Sequence, residues 1–79
     1  MPESDDLHAF VALKLAKVFG EERARAILGE VLGELRLAAV ESVDDLERVA
    51  GVLQRRGGFE ATTGAMLAVR ATMLRLRDR

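Results

Sequence analysis

The sequence predicts an all-α fold, a small compact bundle of four main helices, and three observations carry that prediction. Ala and Leu, twelve of each, dominate the 79 residues together with Glu and Arg, all strong helix formers. The β-branched residues are scattered rather than alternating, so no segment reads as a strand. Gly and Ser recur where the helical periodicity breaks, dividing the chain into four segments. The length suits a single domain, residues 1–79, with 49% hydrophobic residues available for a core.

The first helix is expected over residues 5–19, with Ser4 or Asp5 as N-cap and Gly20 as its stop. At 100° per residue its apolar positions cover an arc of about 240°. The remaining polar sliver holds Asp6, Lys14 and Lys17, with Phe10 in its middle. An aromatic ring in that place is a candidate contact with another chain, as is Leu13 on the edge of the arc.

The second helix is expected over 21–40, opened by Glu21 and Glu22 where the helix dipole favours negative charge. Its main stripe runs through Ala24, Ile27, Leu28, Val31, Leu32, Leu35 and Ala38. The opposite face carries Ala26, Gly29 and Gly33 and ends at Leu37, a groove of small residues on which another helix could pack closely. The same glycines could instead break the segment, giving five or six short helices, or simply face water.

Ser42-Val43-Asp44-Asp45 is the clearest local signal, a cap followed by two acids, and starts a third helix over 43–56. Leu46, Val49, Ala50 and Leu53 form its inward stripe, Asp44 and Arg48 are placed to pair outside, and Gly57-Gly58 ends it. The fourth helix is expected over 59–77. Thr62, Met66, Val69, Met73 and Leu76 make one ridge, Leu67 and Leu74 another, with Arg70 between them and a small face of Ala61, Gly64, Ala68 and Ala71 behind. Connections of two to four residues favour antiparallel neighbours. The expected core comprises Leu28, Val31, Leu35, Leu46, Val49, Leu53, Met66 and Met73.

Composition narrows the chemistry. There is no Cys and no Tyr, one His, and two Ser, both at expected caps, so neither a nucleophile with its base nor a zinc site is provided for. The acidic pairs fall in first helical turns, where the dipole accounts for them. No enzyme activity, cofactor or metal is expected. Arg55-Arg56-Gly57-Gly58 precedes a helix but lacks the Lys-Ser/Thr ending of a phosphate loop. The acidic N-terminus does not read as a secretory signal, and no apolar run reaches the ~20 residues of a membrane span. A cytoplasmic protein without membrane contact is expected, and ten Arg against two Lys points to a GC-rich bacterial genome.

Two function classes remain. The first is a protein–protein interaction module that self-associates or docks on a protein partner, because the chain has more apolar and small-residue faces than four helices can cover. Its interface candidates are Phe10, Leu13, Ala26, Gly29, Gly33 and Leu37. The second is a nucleic-acid-binding helix-loop-helix. Residues 48–79 hold seven Arg against Glu60 and Asp78, and Arg55, Arg56, Arg70, Arg75 and Arg77 are the candidates for phosphate contact. The start of the fourth helix, however, lacks the side chains that read base edges. The interaction module is therefore the leading expectation.

Overall fold

The computed structural model describes the backbone of residues 3–77 and the side chains from Leu7 to Arg77. Four helices follow one another: α1 (Glu3–Phe19), α2 (Glu21–Leu35), α3 (Val43–Arg56) and α4 (Gly58–Arg77), with no strand among the described residues. α2 runs unbroken through Gly29 and Gly33, so the alternative of five or six short helices is not realised. One core gathers residues from all four helices, with Val11, Leu15, Val31, Val40, Leu46, Val49, Leu53 and Leu67 fully enclosed.

The helix ends follow local chemistry. α1 begins at Glu3, which puts Ser4 and Asp5 in the first turn rather than at the cap. At Gly20 the chain takes φ 87°, a left-handed backbone that glycine adopts without a Cβ penalty, and reverses directly into α2. Gly57 and Gly58 make the same kind of reversal between α3 and α4, at φ 77° and 60°. At the start of α3 the Ser42 hydroxyl accepts from the Asp45 N–H at 3.1 Å, while the Asp45 carboxylate accepts from the Glu41 N–H at 3.1 Å. Two otherwise orphaned donors are thus satisfied reciprocally, a variant of the capping box.

α2 stops at Leu35, well short of the expected residue 40. Arg36 is left-handed (φ 58°), and the Leu37 N–H returns to the Leu32 carbonyl at 2.9 Å, the six-to-one bond of a Schellman ending. The cause lies in tertiary structure. Leaving the helix lets Leu37 fold back against the core and buries Val40 completely, and the Val40 N–H donates to His8 Nδ1 on α1 at 3.1 Å. Residues 36–42 therefore form a longer connection than the two to four residues expected. His8, half-buried, serves as a structural acceptor.

The largest departure concerns α4. Its buried residues are Thr63, Gly64, Leu67, Ala71 and Leu74, whereas Met66 and Met73, expected in the core, are exposed. Leu35, also expected there, is half-buried. The reason is a close approach between α3 and α4. A Cβ at Gly64 would lie 2.8 Å from the Ala50 carbonyl oxygen, 2.9 Å from Leu53 Cβ and 3.0 Å from the Gln54 nitrogen. Only a hydrogen at that position lets the backbones come so near, and the side of α4 that packs joins Gly64 and Ala71 to the Leu67–Leu74 ridge. Thr63, the one buried polar side chain among the described residues, donates to the Phe59 carbonyl at 2.9 Å and so carries no unmet hydrogen bond inward.

Candidate functional site

With Gly64, Leu67, Ala71 and Leu74 turned inward, the ridge that holds Met66 and Met73 is turned out. Phe59, Met66, Val69, Met73 and Leu76 are 76, 43, 60, 52 and 59% exposed. With Thr62, also exposed, they recur at steps of three, four, three, four and three residues. Alternating steps of three and four follow the 3.5-residue repeat and keep a single line along a helix of 3.6 residues per turn, the arrangement of a seam between paired helices. From Phe59 to Leu76 the line is about 25 Å long at 1.5 Å per residue.

The flanks of this ridge differ. Ala65 and Thr72 border one side, small and uncharged. Arg70 and Arg77 border the other. The Arg70 guanidinium lies 4.7 Å from the centre of the Phe10 ring on α1, and the Lys14 ammonium lies 5.4 Å from the same ring. Both cations meet the negative face of an aromatic system, which fixes them without neutralising their charge. Phe10 itself is half-buried and packs against the core, so its ring is shared between α1 and α4 rather than standing alone in a polar strip.

A second apolar surface lies between α1 and α2. It is an open groove of about 650 Å3 whose walls include Ala12, Leu13, Ala16, Leu28, Gly29 and Leu32. Leu13 and Gly29 are thereby brought together, as an interface built from both helices would require. Ala26 and Gly33 are exposed on α2, and Leu37 is half-buried against the core. Among the described residues nothing lies within 4 Å of where a Cβ would stand on Gly29 or Gly33, so none of them packs closely on the small-residue face of α2 at these positions.

Two of the arginines proposed for nucleic acid are engaged by carboxylates, and Arg70 lies over the Phe10 ring. Arg56 bridges three carboxylates, Glu30 and Glu34 on α2 at 2.9 Å each and Glu60 on α4 at 3.2 Å. Arg75 ties α4 to α3 through Glu47, at 2.6 Å, and Asp44. Asp44 thus faces Arg75 in place of the expected Arg48. The hydrogen bond from Arg75 holds the Glu47 carboxyl below its ordinary range, and both guanidiniums are held more firmly protonated by their acceptors. Arg55 and Arg77 make no ion pair among the described residues. The local positive excess counted along the sequence is therefore interleaved in space with carboxylates from α2 and α3.

No group of three or more potential metal ligands occurs among the described residues. No helix among the described residues is long and apolar enough to cross a membrane. No protein-family model, curated protein or solved structure matches this chain.

The ridge is the feature that sequence reasoning located but faced the wrong way. The sequence pattern groups Thr62, Met66, Val69, Met73 and Leu76 as one line, and Phe59 extends it by one turn. The signal that points it outward is Gly64 on the opposite side, set among Ala61, Ala68 and Ala71, which marks the face able to approach another helix closely.

Proposed function

We propose that the chain is a small protein–protein interaction module, without catalytic activity, whose contact surface is the outer ridge of α4. The observation that carries this is the alignment of five large apolar side chains, each more than two-fifths exposed, along one helical seam. Scattered exposed hydrophobes need no explanation, whereas a contiguous line of them on a small domain costs solubility and is retained where a partner covers it. Two methionines in the line add a side chain that adapts to varied surfaces. The α1–α2 groove, with Leu13 and Gly29, is a secondary place of contact. A cytoplasmic setting in a bacterial cell accords with the absence of cysteine and the arginine-rich composition.

Nucleic-acid binding is the weaker proposal, since Arg56 and Arg75 are held by five carboxylates between them. It predicts duplex affinity that falls steeply with salt and weakens when Arg55 and Arg56 are both replaced by Ala. Interaction through the ridge is tested by comparing the wild-type chain with Val69→Glu in light scattering over a wide concentration range and in affinity capture from cells of the source organism. The proposal expects a complex, with itself or another protein, that the substitution abolishes while helicity is retained. Absence of any complex, or one indifferent to the substitution, contradicts it.

A further inference from the structure

The geometry points to one occupant for the ridge: α4 of a second copy of this chain, lying parallel to the first across a two-fold axis. This inference rests on the interaction surface proposed above and names its partner. Three observations carry it.

The first is the repeat. A stripe at 3.5 residues stays in register only against another helix that carries the same period over the same length, and α4 itself supplies such a helix. The positions that look outward and those that pack on α3 lie on opposite sides, so a pair of bundles can join along the ridge with both cores undisturbed.

The second is area. At their exposures, the five ridge side chains leave roughly 500 Å2 open, within the range of about 300–600 Å2 for the largest patch on a monomer. Two such faces, with the flanking Thr62, Ala65 and Thr72, remove on the order of 1,000 Å2 from water, where specific interfaces begin. The ridge is therefore matched in size to its own copy, and closed two-fold dimers are the commonest assembly of soluble chains.

The third is charge, which sets the direction. In a parallel pair the cationic flank of each helix faces the small neutral flank of the other, so Arg70 meets Ala65 and Arg77 meets Thr72 across the seam. In an antiparallel pair like flanks face each other. That would bring together Arg70 of both copies, each accompanied by Lys14 over the same Phe10 ring, with no carboxylate on the ridge to offset them. The parallel arrangement also stacks identical residues, Phe59 on Phe59 and Leu76 on Leu76.

The chain has no cysteine, so engineered thiols report geometry without interference. Purified wild-type chain should sediment at twice the monomer mass, and Val69→Glu or Met66→Lys should return it to folded monomers. In a glutathione redox buffer, Leu76→Cys should form a disulfide-linked dimer at least tenfold faster than Gly33→Cys, the control on the exposed side of α2. A wild-type chain that stays monomeric, while Val69→Glu abolishes capture of a different protein, overturns the second copy and leaves the interaction surface standing. A dimer unaffected by Val69→Glu overturns both. Linking that requires Phe59→Cys together with Leu76→Cys, and fails with Leu76→Cys alone, overturns the parallel direction.

Discussion

The two faces of α4 are both apolar, yet they differ in the size of their residues and in where they end up. The inner face is Gly64, Leu67, Ala71 and Leu74 with the self-satisfied Thr63, and it is closed against α3. The outer face is Phe59, Met66, Val69, Met73 and Leu76, and it is open. Hydrophobicity alone would favour the larger side chains for the core, by about 1.5–3 kcal/mol for each one buried. What decides instead is how closely the helices can approach. At Gly64 the backbones of α3 and α4 are in contact distance, and such close packing gathers dispersion contacts that the longer Met and Phe side chains would hold apart. Under the proposed function, the outward-facing bulk is the surface that meets another protein.

The comparison breaks first at the core. Leu67→Ala removes a fully buried side chain and should cost about 2–5 kcal/mol, enough to unfold much of a domain this small. Met73→Ala on the outer face should change monomer stability by less than about 0.5 kcal/mol. Urea titrations of both at concentrations where the chain is monomeric measure the difference. Equal effects would mean that the two faces are not distinct.

Glycine offers a second contrast. Gly64→Ala places a methyl group against the Ala50 carbonyl and the Gln54 amide, backbone atoms that cannot swing aside, and should destabilise by about 1–3 kcal/mol. Gly33→Ala meets nothing within 4 Å in the last turn of α2, so thermal unfolding should show a gain of up to about 1 kcal/mol. A loss at Gly33 would instead indicate that the α2 face receives a close-packed partner.

A smaller effect comes from the rim where α3 and α4 are pinned by Arg75. Glu47 is held below its ordinary range chiefly by the hydrogen bond from Arg75. A carboxyl depressed in the folded state stabilises it at pH above the unfolded value, and that contribution fades as pH falls through the folded one. Carboxyl NMR titration of Arg75→Gln should move Glu47 back up toward the ordinary carboxylate range. An unchanged midpoint would show that the ion pair does not form in solution. Both groups are solvent-accessible, so little change in overall stability is expected.

Much of this architecture could be read from the residues. Ser42 with Asp45, Gly20, and Gly57-Gly58 place three helix boundaries by local chemistry, and the stripe of α3 falls inward as its period requires. Two features needed contacts that a local window does not contain. α2 ends at Leu35 because Val40 is wanted in the core and its amide finds His8, thirty-two positions away, whereas the apolar pattern itself continues past residue 35. The direction of α4 depends on Ala50 and Gln54 meeting Gly64 across two helices, and periodicity specifies a stripe without stating which of two apolar stripes faces in. Phe10 shows the same limit: its place between Lys14 and Lys17 was legible, and its sharing with Arg70 was not.

Under the proposed function, the outer face of α4 is covered in the working state. Of the three methionines in the chain, Met66 and Met73 both lie on that face, so selective methyl labelling places two of three signals on it. The measurement is the methyl spectrum of the labelled chain as its concentration is raised, or as a captured partner is added, together with the access of each methyl group to a soluble paramagnetic agent. With the ridge as the contact surface, the Met66 and Met73 signals should shift together and lose access as the complex forms. A complex that forms while both methyl groups keep their shifts and remain open to the agent would contradict it.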